Sequence, residues 1–74
     1  MNIFYNDNTL YVNLEERVDD YMMHKLRRRV FNIVDDYDIE SIVLNLIANN
    51  KNDYLIEEFI KEYQQKYGGK IQVR

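Results

Sequence analysis

Ile42-Val43-Leu44-Asn45-Leu46-Ile47 constrains this chain more than any other stretch. A nearly continuous apolar run rich in β-branched residues reads as a strand with much of both faces buried. Segments of helical periodicity precede and follow it, so it forms the middle of a parallel βαβαβ arrangement. That predicts an α/β domain. It names no chemistry, because the residues from which catalytic or metal sites are usually built are scarce around it.

The remaining elements follow from local patterns. Asn2 to Asn6 and Thr9 to Leu14 are extended segments separated by Asp7-Asn8, two residues that tolerate positive φ and suit a type I′ hairpin. Leu10, Val12 and Leu14 share one face of the second strand, and Tyr11 and Asn13 the other. From an N-cap at Asp19 or Asp20, Met22, Met23, Leu26, Val30, Ile33 and Val34 recur at helical spacing as far as Asp35-Asp36. A second helix begins at an N-cap of Asn52 or Asp53. It carries Ile56, Phe59, Ile60, Tyr63 and Tyr67 inward and ends at Gly68-Gly69, where glycine supplies a left-handed C-cap. Strands over 41–47 and 70–74 complete the order ββαβαβ, the last with Ile71 and Val73 inward.

Right-handed crossovers place both helices on one face of a mixed sheet of order 1-2-3-4. The other face then shows Phe4, Tyr11, Asn13, Val43 and Gln72. A ferredoxin-like sheet, with one strand inserted between two others, also puts two helices on one side, and periodicity alone leaves both topologies open.

The chain has 74 residues and forms one domain, near the size at which a single core is marginally stable, with roughly 3 to 5 kcal/mol to spare. Hydrophobic residues make up 46% and charged residues 31%, a globular balance. The net charge of −3 argues against a nucleic-acid or anionic-membrane surface. There is no cysteine, which excludes disulfides, thiolate nucleophiles and thiolate zinc sites and makes the cytoplasm the expected compartment. No apolar stretch is long enough to span a bilayer, and the start Met1-Asn2-Ile3-Phe4-Tyr5-Asn6-Asp7 lacks the basic and apolar regions of a signal peptide.

Other conspicuous residues have ordinary explanations. Lys25-Leu26-Arg27-Arg28-Arg29 is basic, but aromatic interleaving is limited to Tyr21, and Glu15, Glu16, Asp19 and Asp20 are close in sequence. A solvated, salt-bridged helix face is expected. His24 is the one histidine and has no set of converging ligands, so no metal is expected. The pairs Asp35-Asp36 and Glu57-Glu58 diverge by about 100° on a helix and cannot converge on a substrate. Tyr63 and Tyr67 read as a core stripe with hydroxyls in water. Catalytic residues and cofactors are therefore not expected.

Three segments together resemble the STAS domain of bacterial anti-sigma factor antagonists. Leu14-Glu15-Glu16-Arg17-Val18-Asp19 corresponds to the family's Leu-x-Gly-x-Leu-Asp entry into helix one, and Ile42-Val43-Leu44-Asn45-Leu46 to its Ile-Val-Leu-Asp/Asn-Leu strand. Tyr67-Gly68-Gly69-Lys70-Ile71-Gln72-Val73 is similar to the Gly-Gly and strand that follow helix two. The resemblance implies sheet order 1-2-3-4 and a non-catalytic module that binds an anti-sigma factor or related kinase-like protein. The partner surface it implies lies at the start of helix two, through Asn50, Lys51, Asn52, Asp53 and Tyr54. Two departures matter. Glu16 replaces a glycine, and Asn49 to Tyr54 contains no serine where kinase-regulated members carry Asp-Ser-Ser-Gly, the hydroxyl amino acids Ser and Thr being confined to Thr9 and Ser41. The resemblance therefore implies a constitutive or redirected binder. The sequence also ends at strand four, before the family's last helix, strand and helix, so that strand is expected as an open edge. Self-association into a homodimer through Tyr11, Val43, Lys70 and Gln72 is also expected, and a small self-associating structural or accessory domain with no sigma-pathway role is the alternative reading of function.

Overall fold

A computed structural model describes residues 2–47 and 53–74. Its elements are β1 (Asn2–Asn6), β2 (Thr9–Leu14), α1 (Asp20–Asp36), β3 (Ser41–Leu46), α2 (Tyr54–Tyr67) and β4 (Lys70–Val73). β1 pairs antiparallel with β2 because Asp7 and Asn8, at φ 53° and 58°, close the two-residue turn. The Tyr5 hydroxyl donates to Asn8 Oδ1 at 2.7 Å and fastens the turn from outside. β2, β3 and β4 are mutually parallel, and the sheet order is β1-β2-β3-β4, which decides against the ferredoxin-like alternative.

Both helices lie on one face. Leu10, Val12 and Leu14 of β2 and Ile42 and Leu44 of β3 form one core with Met23, Leu26, Val30 and Phe31 of α1 and Ile56, Phe59 and Tyr63 of α2. Ile3, Ile71 and Val73 on the edge strands pack against that core from either side. α1 starts where Asp19 accepts a hydrogen bond from the Met22 N–H at 2.8 Å, and it stops where Tyr37 turns extended. Asp53 caps α2 through the Leu55 N–H at 2.9 Å, and Gly68 ends it at φ 68°.

Several expectations change in detail. β3 ends at Leu46 and β4 at Val73, although Arg74 prolongs the ladder by donating its N–H to the Leu44 carbonyl at 2.8 Å and accepting from the Leu46 N–H at 2.9 Å. Phe31, outside the expected stripe, is buried, whereas Ile33 and Val34 are half-buried. Phe31 points along the groove between the helices, where its ring stacks on Phe59 with centroids 5.7 Å apart and meets Tyr67 edge-on at 5.5 Å. The Tyr63 hydroxyl is not in water. The residue is wholly buried and its oxygen has no hydrogen-bond partner among the described residues, because Tyr63 turns inward from α2 with its hydroxyl against Gly69, just before β4. Tyr67 reaches the rim, where its hydroxyl donates to Asp35 Oδ1 at 2.8 Å.

Candidate functional site

Two surfaces carry the residues singled out by sequence. The first is the end of the sheet where β3 runs toward α2. Asn50, Lys51 and Asn52 lie outside the described residues. Asp53 is occupied as the helix cap. Tyr54 stands 69% exposed, and a hydrogen bond to the Glu58 carboxylate, together with its charge, raises the phenol above its ordinary value. Ile47, which sequence reasoning did not single out, is 61% exposed on the other side of the connection. Two large apolar side chains in water thus flank the β3–α2 connection. Its position at the carboxyl ends of parallel strands is the customary binding end of an α/β sheet.

The second surface is the helix-free face of the sheet. Register places Phe4 opposite Tyr11, Tyr11 opposite Val43 and Val43 opposite Gln72, so three of the four residues expected at a self-association surface fall in one row. Lys70 belongs to a parallel row with Asn6, Thr9 and Ser41. On the other side lie Asn2, Asn13 and Asn45, with Arg74 next along the β4 backbone. Phe4 and Tyr11 stack with centroids 4.9 Å apart and ring planes 8° from parallel, and the Thr9 and Ser41 hydroxyls are 3.0 Å apart.

Val43 does not expose an apolar surface as expected, being only 7% accessible. It occupies an inner strand between the larger Tyr11 and Gln72, whose cross-strand spacing of about 5 Å lets them screen a short side chain. The exposed apolar residue in this row is Phe4, at 47%. The outer rows escaped attention because only strand register shows which polar residues share a line.

The basic run of α1 is largely exposed, as a solvated, salt-bridged helix face would be. Arg27 pairs with Glu62 of α2 at 3.0 Å, because position 27 faces the neighbouring helix. The Lys25 ammonium sits 4.7 Å from the Tyr21 ring centre, and Arg28 and Arg29 are exposed. His24 is exposed too, and among the described residues no three His, Cys, Asp or Glu side chains are placed to hold a metal ion. No helix among the described residues is long and apolar enough to cross a membrane. No protein-family model matches the chain, and no curated protein matches it.

Proposed function

We propose that the protein is a non-catalytic protein-interaction module of the anti-sigma factor antagonist type, acting in the cytoplasm by occupying an anti-sigma factor or a related kinase-like protein. The observation that carries this reading is the pair of exposed side chains, Ile47 and Tyr54, flanking the β3–α2 connection, where the STAS resemblance puts the partner surface. Exposed aromatic and aliphatic side chains at the two ends of one connection supply the kind of anchor that dominates binding energy at protein interfaces. The sheet order and the placement of both helices on one face are compatible with that resemblance. Binding would act by shifting the partner's population away from its sigma factor. Without a serine or threonine between positions 47 and 54, phosphorylation of such a residue there cannot release the partner.

The test is titration calorimetry against a purified anti-sigma kinase from the same cell. A saturable complex is expected, weakened about tenfold or more by Tyr54→Ala and by Ile47→Ser, in line with the loss of a central anchor. No heat of binding, or a complex indifferent to both substitutions, would reject the proposal.

A further inference from the structure

The helix-free face differs in composition from the rest of the molecule. The chain carries 13 acidic residues and a net charge of −3, yet none of the positions on this face is an aspartate or glutamate. Its charges are the Lys70 and Arg74 cations, both exposed and both at the β4 side. Four residues apart on an extended chain, their Cα atoms lie about 13 Å from each other. Across the sheet from them, on β1 and β2, stand the two stacked rings of Phe4 and Tyr11, with the side-chain amides of Asn13 and Asn45 on the strands between. The net charge argues against a nucleic-acid partner only if acidic residues are spread evenly. Here they are not, because no strand position on this face is acidic.

We propose that the helix-free face of the sheet binds a single-stranded nucleic acid, with Phe4 and Tyr11 as its stacking platform and Lys70 and Arg74 as its backbone contacts. Each component matches a requirement of such a ligand. Phe4 leaves nearly half its surface open beside a ring already parallel to it, so a base laid against its free side continues the stack. Asn13 and Asn45, opposite each other on β2 and β3, both offer donors and acceptors to the edges of an unpaired base. A four-stranded sheet backed by helices has room for two or three bases splayed across it. A duplex hides the faces and edges that these groups would contact. A second copy of the chain is a poorer occupant, since this face offers its Lys70 and Arg74 no carboxylate on the corresponding face of the other copy. This surface is distinct from the Ile47–Tyr54 end, so either proposal can fail without the other.

Fluorescence anisotropy with labelled oligothymidylate and oligouridylate at low salt tests the assignment. Saturable binding is expected, with a double-logarithmic salt slope of about −1.4 for two neutralised phosphates. Phe4→Ala and Tyr11→Ala should each weaken it at least about fivefold, the lower end of what a stacked base contributes. The pair K70E and R74E should abolish binding, whereas R28E with R29E on the outer side of α1 should leave it unchanged. Thermal melts confirm that each variant is folded, and Phe4→Leu, which keeps an apolar side chain and removes only the ring, should reproduce the loss. Absence of binding to both oligomers would overturn the proposal, as would equal affinity for a duplex of the same length. Binding lost in the α1 variant but retained in the ring variants would overturn it too. So would a concentration-dependent doubling of mass abolished by Tyr11→Ala, which would give the face to a second copy.

Discussion

Gly69 and Tyr63 form the tightest local constraint in the molecule. A Cβ at Gly69 would overlap the Tyr63 hydroxyl and come within 3.0 Å of its ring carbon Cζ and 3.3 Å of the Glu40 carbonyl. Tyr63 is fully buried and has no room to withdraw, so Gly69→Ala should lower stability by about 1 to 3 kcal/mol in urea unfolding, an overpacking cost. The hydroxyl contributes no hydrogen bond among the described residues to offset its burial. Tyr63→Phe should therefore be neutral or stabilising, and combined with Gly69→Ala it should recover much of the loss. If the double variant is no more stable than Gly69→Ala, the clash lies with the Glu40 carbonyl instead. Gly68 serves a different need, because at φ 68° a side chain strains the backbone even with open space around it. Gly68→Ala should cost about 1 kcal/mol by the same measurement.

At the scale of elements, α1 and α2 are fastened together near their C-terminal ends by Tyr67. Its hydroxyl donates to Asp35, its ring meets Phe31, and Lys66 lies 5.1 Å from the Phe31 ring centre. Burial, followed by the hydrogen bond and negative charge of Asp35, pushes the phenol up to about 12 from 10.0. A raised acid means that folding favours the protonated form, so this contribution is fully present below pH 10 and fades as pH rises through about 12. Denaturant unfolding followed from pH 8 to 12 should show stability falling in that alkaline window. Tyr67→Phe should flatten the fall while costing about 0.5 to 1.5 kcal/mol at neutral pH. An unchanged alkaline limb in that variant would assign the effect to another group, such as Tyr63, which burial also raises. The elements themselves were legible from sequence because their signals are local: Asp7-Asn8 for the hairpin, Asp19 and Asp53 for the caps, Gly68 for the end of α2. Phe31 was not, since it faces the other helix and falls outside a stripe drawn toward the sheet alone. The start of α2 was legible as a candidate site, but Ile47 read as strand interior, and the carboxylate-free face required a register that no single strand displays.

For the molecule as a whole, stability concentrates in the two inner strands. Leu10, Val12, Ile42 and Leu44 are essentially inaccessible to water, while β4 alternates between exposed and half-buried positions and β1 is exposed except at half-buried Ile3. Native-state hydrogen exchange should therefore find its slowest amides in β2 and β3, with β1 and the end of β4 opening at lower free energy. Slowest exchange in the hairpin partner β1 would contradict this ordering. Leu44→Ala should remove about 2 to 5 kcal/mol, a large share of what so small a domain possesses. The parallel arrangement also has a consequence in time. β1 and β2 meet across a two-residue turn, a closure of microseconds, but Thr9 reaches Ser41 only after the chain has travelled 32 residues and laid α1 over the sheet. The inner-strand core of Leu10, Val12, Ile42 and Leu44 is joined only in that second, slower encounter, so the β2–α1–β3 unit is the expected folding nucleus. Leu44→Ala should then slow refolding in stopped-flow mixing, whereas a destabilising change at the far end of α2 or in β4 should act chiefly by hastening unfolding.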